Sequence, residues 1–293
     1  MYFYLISATI LIFVTIVAIV IFSRGPNIST KHDIHKPRFV DHKTMSTIVN
    51  NSIYFQRMTP TDLIPRNASS PQAYAKLYKA SIIPFTDQQT RTLTQSIHEL
   101  QTTYLRPFSN LNRIPWKFAR VTEDIESGYP HTLHDVIILS DKFFTLSTKD
   151  QQKTLVHEKV HVYQRVHPLQ TYKLIHDVWG FQVKDKIVNF PLSRNNPDVN
   201  NFVYGKKQGR IIQLYTNQRP QTLADSQPFL IDDKGNSIAL TSLNQLDIET
   251  LPYQPYIQLE HPYEIMACLL AELIMSSDIS YLTNVQEWMK TNL

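Results

Sequence analysis

Residues 147–166 read STKDQQKTLVHEKVHVYQRV, and this stretch decides how the rest of the chain is interpreted. Ser147 comes first, and Asp150 three residues later completes a pair of the kind that caps the N-terminus of a helix. At the other end, His167 is followed by a proline, which pushes the residue before it out of helical geometry. The sequence therefore predicts a helix that begins at Ser147 and runs to about Val166.

The middle of this helix carries His157-Glu158-Lys159-Val160-His161, which matches the pattern HExxH. Residues four apart lie on one face of a helix, so the imidazoles of His157 and His161 can bind one metal ion at about 2.0–2.1 Å. Glu158 lies beside that face, where its carboxylate can accept a proton from an activated water. The pattern predicts a metal site with a general base. The alternative is that both histidines are ordinary surface residues of the helix.

A catalytic zinc ion needs a third protein ligand, and His167 is one candidate. It lies six residues after His161, a spacing that resembles the metzincin pattern. That pattern has a glycine three residues after the second histidine, where the helix ends, but Gln164 stands at this position here. At about 100° per residue, a helix that continues to Val166 turns His167 about 120° away from His161. His167 is therefore interpreted as a residue at the end of the helix, near its negative dipole end.

The other candidate is Glu264, in the stretch His261-Pro262-Tyr263-Glu264-Ile265-Met266-Ala267. Proline is typical of the first helical turn, so a helix is predicted over about 262–275. Ala267, about one turn after Glu264, leaves room for close packing against the helix that carries HExxH. Glu264 is the preferred third ligand, and the fallback ligands are Glu260 and Glu272.

Together the motifs His157-Glu158-x-x-His161-x-x-Gln164 and Pro262-Tyr263-Glu264-x-x-Ala267 resemble the HExxHxxQ…PxExxA layout of gluzincin-type zinc metallopeptidase domains. Such domains occur in bacteria and, as membrane-anchored or virion-encoded proteins, in large DNA viruses. The resemblance covers roughly residues 110–275 and departs from the layout at His261, where asparagine is usual. It implies a zincin-like fold, a Zn²⁺ cofactor held by His157, His161 and Glu264, and hydrolysis of peptide bonds.

The resemblance also implies a mechanism. Glu158 would take a proton from the attacking water, and the zinc ion with a nearby donor would stabilise the oxyanion. That donor is usually a tyrosine or a histidine in such enzymes. The candidates here are Tyr263 and Tyr256, which lie close to Glu264 in the sequence. The alternative for each tyrosine is a packing role with a solvated hydroxyl.

In zincins the substrate lies as an extra strand along the edge of a sheet. The segment from Gly128 to Leu139, just before the HExxH helix, is the predicted edge. His131 and Thr132 would then border the cleft and contact the substrate. The alternative is a hairpin loop with no role in substrate binding.

Residues 2–23 contain no charged side chain and are almost entirely aliphatic or aromatic. At 1.5 Å per residue they form about 33 Å of helix, enough to cross a hydrocarbon core of about 30 Å. The sequence predicts a retained transmembrane helix in a lipid bilayer, with a cleaved signal peptide as the alternative. Basic residues follow this segment, which favours the cytoplasmic side for the main domain. The resemblance adds a viral or virion membrane as a location.

Residues 24–75 are rich in Ser, Thr, Asn and Pro without a sustained apolar period, and are predicted to form a juxtamembrane linker. Residues 76–293 are predicted to form one α+β domain, because helices and strands are segregated rather than alternating. Further helices are predicted at about 87–104 and 170–188. The predicted strands lie at about 116–121, 135–140, 211–215 and 228–231.

Composition excludes several classes of protein. Only 18% of the 293 residues are charged, and 29 Lys+Arg against 25 Asp+Glu give a net charge of +4, which argues against a disordered chain and against nucleic-acid binding. The single cysteine, Cys268, excludes an intramolecular disulfide framework. The expected partners are a bilayer and a peptide or protein substrate.

Two alternatives to a membrane-anchored metallopeptidase remain. One is a catalytically silent zincin-fold protein with a structural or virion-membrane role. The other is a membrane scaffold without a metal. The intact Glu158 favours catalysis over the silent form.

Overall fold

Two β-sheets with helices packed on them make up the described part of the protein. The computed structural model describes residues 36–186, 190–251, 256–276 and 282–293. All of these residues belong to one compact unit, Ile34–Leu293. The fold is α+β, as the sequence predicts.

The first half of the described chain contains seven helices and five strands. The helices are α1 (His42–Asn51), α2 (Ile53–Gln56), α3 (Pro60–Leu63), α4 (Pro71–Ala80), α5 (Asp87–Glu99), α6 (Ser109–Asn112) and α7 (Asp141–Phe144). The strands are β1 (Arg38–Phe39), β2 (Ile82–Ile83), β3 (Lys117–Val121), β4 (His131–Leu133) and β5 (Val136–Leu139).

The second half begins with the longest helix of the described residues. Its helices are α8 (Thr148–Val166), α9 (Pro168–Tyr172), α10 (Pro262–Met275) and α11 (Thr283–Asn292). Its strands are β6 (Gln182–Lys186), β7 (Phe202–Lys206), β8 (Gly209–Tyr215), β9 (Ser226–Ile231) and β10 (Ser237–Ala239).

The first sheet is centred on β3 and β5, which pair in parallel. On the outer side of β3 lie β1, which is parallel to it, and β2, which is antiparallel. On the outer side of β5 lies β4, antiparallel, with Thr132 opposite Ile137. In the strand order β1-β3-β5-β4, β4 is thus an edge strand.

The two faces of this sheet are buried against different helices. Successive side chains of a strand point to opposite faces, and β5 follows this rule. Val136 and Ile138 pack with the helices of residues 42–80, whereas Ile137 and Leu139 pack with α8 and α10. The strand is apolar at every position because both of its faces are covered.

The second sheet is an antiparallel meander in the order β10-β9-β8-β7-β6. Its longest pairing joins β8 to β9, from Arg210 opposite Ile231 to Tyr215 opposite Ser226. The strands predicted at about 211–215 and 228–231 lie within this pair. The helix predicted over about 170–188 is shorter: α9 continues as a π-helix over Lys173–Val178, which ends there because Gly180 takes a positive φ of 74°, and β6 follows.

The two helices that the motifs predict form where expected. The Ser147 hydroxyl accepts a hydrogen bond from the Asp150 backbone N–H at 3.2 Å, and α8 then runs to Val166. The helix α10 runs from Pro262 to Met275, and His261 is its N-terminal cap. Ala267 is fully buried, as close packing of α10 against α8 requires.

Residues 36–75 are folded, which differs from the predicted linker over 24–75. Asp41, Ser52, Thr59 and Ser70 each accept a hydrogen bond at the N-terminus of a helix, so the polar residues of this segment act as caps. The helices bury apolar side chains against the first sheet; these are Met45, Val49, Tyr54, Phe55, Met58, Leu63, Tyr74 and Tyr78.

The prediction of a membrane anchor is not supported. Across the ranges that the structure describes, no helix is both long enough and apolar enough to cross a bilayer. The predicted span, residues 2–23, lies outside those ranges. The predicted localisation as a single-pass membrane protein is therefore withdrawn.

Candidate metal centre

Three ligand atoms from α8 and α10 meet at one point. His157 Nε2 and His161 Nε2 are 3.0 Å apart, and they lie 3.3 Å and 3.2 Å from Glu264 Oε2. The two histidines are four residues apart on α8, and Glu264 stands in the first turn of α10. Among the described residues, no other group of three His, Cys, Asp or Glu side chains lies close enough together to hold a metal ion.

The spacing of these atoms matches the donor set of a tetrahedral zinc site. Bonds of about 2.0–2.1 Å at tetrahedral angles separate neighbouring donor atoms by about 3.3 Å. The three observed separations, 3.0, 3.2 and 3.3 Å, lie close to that value. Two imidazole nitrogens and one carboxylate oxygen suit zinc and leave a fourth position open.

Hydrogen bonds behind the cluster fix the orientation of two of its members. Gln164 Oε1 accepts from Nδ1 of His161 at 2.9 Å, because an amide oxygen can only accept. The Nε2 lone pair of His161 then faces the cluster. The Gln164 amide nitrogen donates to the Tyr263 carbonyl at 2.8 Å, which ties α8 to α10. Such bonds set the tautomer and the direction of metal ligands.

Asn196 orients Glu264 in the same way. Its side-chain nitrogen donates to Glu264 Oε1 at 2.6 Å, so Oε2 is the oxygen left for the cluster. The Asn196 side-chain oxygen accepts from the Asp198 backbone N–H at 2.8 Å and holds the amide in this orientation. The sequence around Asn196 is typical of a turn. Only the long-range hydrogen bond to Glu264 shows that this segment lies beside the candidate metal cluster.

The charges of the cluster are strongly interdependent. Burial would raise the pKa of the Glu264 carboxyl, but the adjacent His161 and His157 hold it well below its usual range. Burial would lower the pKa of His157, but the interactions with Cys268 and Glu264 raise it well above its usual range. The Cys268 sulfur lies 3.8 Å from His157 Nδ1.

Glu158 lies beside the cluster in a buried position, 3% exposed. Burial raises the pKa of its carboxyl well above the usual range, and the charge of Asp198 raises it further. Its Oε2 atom is buried and forms no hydrogen bond with any described residue. A buried carboxylate oxygen without a partner, next to a metal-ligand set, is available to a reacting water.

The two tyrosines predicted as oxyanion donors are placed differently. The Tyr263 side chain is buried, and its hydroxyl interacts with the side chains of Asn200 and Tyr204. Tyr256 is 85% exposed. None of the hydrogen bonds among the described residues joins either hydroxyl to the cluster.

The alternative third ligands lie outside the cluster. His167 ends α8 and packs against Tyr163, with ring centroids 4.6 Å apart. Glu272 pairs with Lys153. Glu260 is buried and lines a neighbouring cavity, described below.

The two residues predicted to contact the substrate are buried in β4. His131 is 2% exposed, and its ring nitrogens contact the Tyr78 hydroxyl at 2.7 Å and the Tyr129 carbonyl at 2.9 Å. The Thr132 backbone N–H and hydroxyl donate to Asp198 Oδ1 at 2.5 Å and 2.7 Å. The predicted edge strand therefore exists, but its outward-facing groups at Thr132 are already bound to Asp198.

Arg165 holds the same loop from α8. Its guanidinium donates to the Pro197 carbonyl at 2.9 Å and to the Asp198 carbonyl at 3.1 Å, and it contacts the Thr132 hydroxyl. Sequence reasoning missed Arg165, Asn196 and Asp198, because each acts through partners more than 30 residues away.

The chain matches no protein-family model, no curated protein and no solved structure. The gluzincin resemblance therefore rests on the two short motifs alone.

Proposed function

We propose that this protein is a zinc-dependent metallopeptidase of the gluzincin type with a zincin-like domain. The observation that carries the proposal is the meeting of His157, His161 and Glu264 at separations of 3.0–3.3 Å, with Glu158 unpaired beside them. Two histidines four residues apart on a helix, with a glutamate directly after the first, are the arrangement by which zinc metalloproteases bind zinc and supply a general base.

The residues of the chain have distinct roles in this proposal. His157, His161 and Glu264 hold the zinc ion, which supplies the Lewis acidity that activates water at neutral pH. Gln164 and Asn196 keep His161 and Glu264 directed at it. The Glu158 carboxylate accepts the proton of the attacking water at Oε2 and returns it to the leaving nitrogen.

The test is the zinc content of the full chain, measured by elemental analysis after loading with zinc and removal of the excess. We expect about one zinc ion per chain in the wild type and in His167→Ala, and loss of zinc in Glu264→Ala. His167→Ala is the matched control, because His167 is the rival ligand in the sequence and lies outside the cluster in the structure. A folded wild type without zinc contradicts the proposal.

Hydrolysis is tested separately with a peptide library and Glu158→Gln. This variant should keep its zinc and lose cleavage, because the amide cannot accept a proton while the ligands are unchanged. Zinc binding without cleavage in the wild type would favour the alternative of a catalytically silent zincin-fold protein.

A further inference from the structure

A small cavity of about 60 Å³ adjoins the metal centre. It lies between the segment that precedes β7, the strands β7 and β8, and the start of α10. Asn196, which donates to Glu264, lines it, and so does His261, the cap of α10. Asn196 is therefore shared between the cavity wall and the hydrogen bond that orients Glu264.

Three buried polar atoms of the cavity wall have no hydrogen-bond partner among the described residues. They are Ser193 Oγ, Arg194 Nε and Gln213 Oε1. The backbone of this wall is fixed, because the Arg194 N–H donates to the Gln213 carbonyl at 3.0 Å and Ser193 bridges to Leu214. Buried polar groups are costly when unpaired, so this wall suits a ligand that offers both a donor and an acceptor.

The charges at the cavity restrict that ligand further. Arg194 and Glu260 both line it, so its wall carries one group of each charge. A cationic or an anionic side chain would therefore meet one group of opposite charge and one of like charge, and the like charge offsets part of its attraction. A neutral group with a donor and an acceptor can pair with both groups without this repulsion. The rest of the wall is apolar, from side chains such as Val199, Phe202 and Ile211, which suits an aliphatic stem.

We propose that this cavity binds the side-chain amide of a glutamine residue of the substrate, next to the peptide bond that is cleaved. The amide nitrogen donates to Gln213 Oε1 and to the Glu260 carboxylate. The amide oxygen accepts from Arg194 Nε and from the Ser193 hydroxyl. This assignment rests on the proposed peptidase function and adds the class of substrate to it.

The test uses the zinc-loaded full chain and four peptides that differ at one position, which is Gln, Glu, Lys or Met. Cleavage sites are located by mass spectrometry, and kcat/KM is measured for each peptide. Glu and Met match the shape of Gln but change its charge or remove its hydrogen bonds. We expect Gln to exceed each of the other three by about 10- to 100-fold, because the wrong side chain leaves buried polar groups unpaired.

Three variants test the assignment of the wall residues. Arg194→Gln should raise kcat/KM for the Lys peptide relative to the Gln peptide. Glu260→Gln should raise kcat/KM for the Glu peptide relative to the Gln peptide. Ser193→Ala should lower the ratio of kcat/KM for the Gln peptide to kcat/KM for the Met peptide. The control is Arg219→Gln, an exposed arginine outside the cavity, which should leave all ratios unchanged. Because ratios are compared, a general loss of folding cannot imitate these results.

The possible failures can be told apart. Cleavage of all four peptides at similar rates, or ratios that none of the three variants changes, would overturn the cavity assignment and leave the peptidase proposal intact. No cleavage of any peptide by the zinc-loaded wild type would overturn the peptidase proposal, and the cavity assignment with it.

Discussion

Arg66 is the buried cation on which the N-terminal helices depend, and replacing it with methionine should be severely destabilising. Its guanidinium lies 2.6 Å from Asp62 and 3.0 Å from Glu126, and its side chain is 1% exposed. It also donates to the Tyr54 hydroxyl and to the Asn195 carbonyl, both at 3.0 Å. Arg66→Met leaves two buried carboxylates without their counter-charge.

Two routes give a similar magnitude. Removing one partner of a buried ion pair costs about 3–5 kcal/mol. Independently, burial would raise the pKa of Glu126, but Arg66, with smaller contributions from His131 and Tyr54, lowers it from 4.5 to about 2. That shift corresponds to about 3 kcal/mol at neutral pH. The stranded Asp62 adds to this cost, so we expect Arg66→Met to lose between about 3 and 5 kcal/mol.

The assay is urea unfolding of the full chain, followed by tryptophan fluorescence. The matched control is Arg210→Met, because Arg210 pairs with Asp185 at 3.1 Å while its side chain is 34% exposed. Pairs of this kind are worth about 0–1 kcal/mol. If Arg66→Met cost less than about 1 kcal/mol, or no more than the control, the view of Arg66 as the centre of a buried network would be wrong.

Three further predictions concern pH, the metal ligands and helix packing. Because the pKa of Glu126 is lowered to about 2, its charge stabilises the fold above about pH 4.5, and this contribution is lost as the pH falls towards 2. The urea midpoint should therefore drop between pH 4.5 and 2, and a midpoint that is constant over this range would contradict the prediction. Asn196→Ala should weaken zinc binding about 10- to 100-fold in competition with a chromophoric chelator, whereas the exposed Asn217→Ala should not. Ala267→Leu should destabilise the fold by about 1–3 kcal/mol in thermal unfolding, because Ala267 is fully buried between packed helices; an unchanged Tm would show that the interface has spare volume.

The parts of the site that follow from the sequence are those set by local chemistry. The cap at Ser147 and the proline at 262 act on the residues directly after them, so the starts of α8 and α10 follow from a few neighbouring residues. The four-residue spacing of the two histidines then fixes their shared face. The pairing of Glu264 with them needed one assumption beyond local structure, that α10 packs on α8.

The N-terminal helices could not be recognised in this way because α2 and α3 are single turns and the longer α1 and α4 show no sustained apolar period in the sequence. The helices α2 and α3 have four residues each, and α1 buries only Met45 and Val49. Their polar residues read as linker composition, although several are helix caps. Burial of a charged residue such as Arg66 depends on partners up to 149 residues away, among them the Tyr215 hydroxyl at 3.4 Å.

His131 and Thr132 show the same limit at the edge strand. The sequence assigns them to a predicted sheet edge before α8 but not to one of the predicted strands, and in the structure they lie on the edge strand β4. Their burial comes from Tyr78 on one side and Asp198 on the other, which the local sequence does not encode. Predicting an edge was possible, but predicting what covers it required the folded positions of two distant segments.

The same long-range contacts join the N-terminal helices to the metal centre. Asn195 donates to Asp62 at 3.1 Å and accepts from Arg66 at 3.0 Å, and the next residue, Asn196, donates to the ligand Glu264 at 2.6 Å. A loop held at one residue by the Arg66 network has little freedom to move the following side chain. The orientation of Glu264 therefore depends on residues 36–75, although none of them belongs to the candidate metal cluster. A domain boundary placed at residue 76 would keep all three residues of the cluster and remove the support of Glu264, so the folded unit that contains the cluster includes these helices.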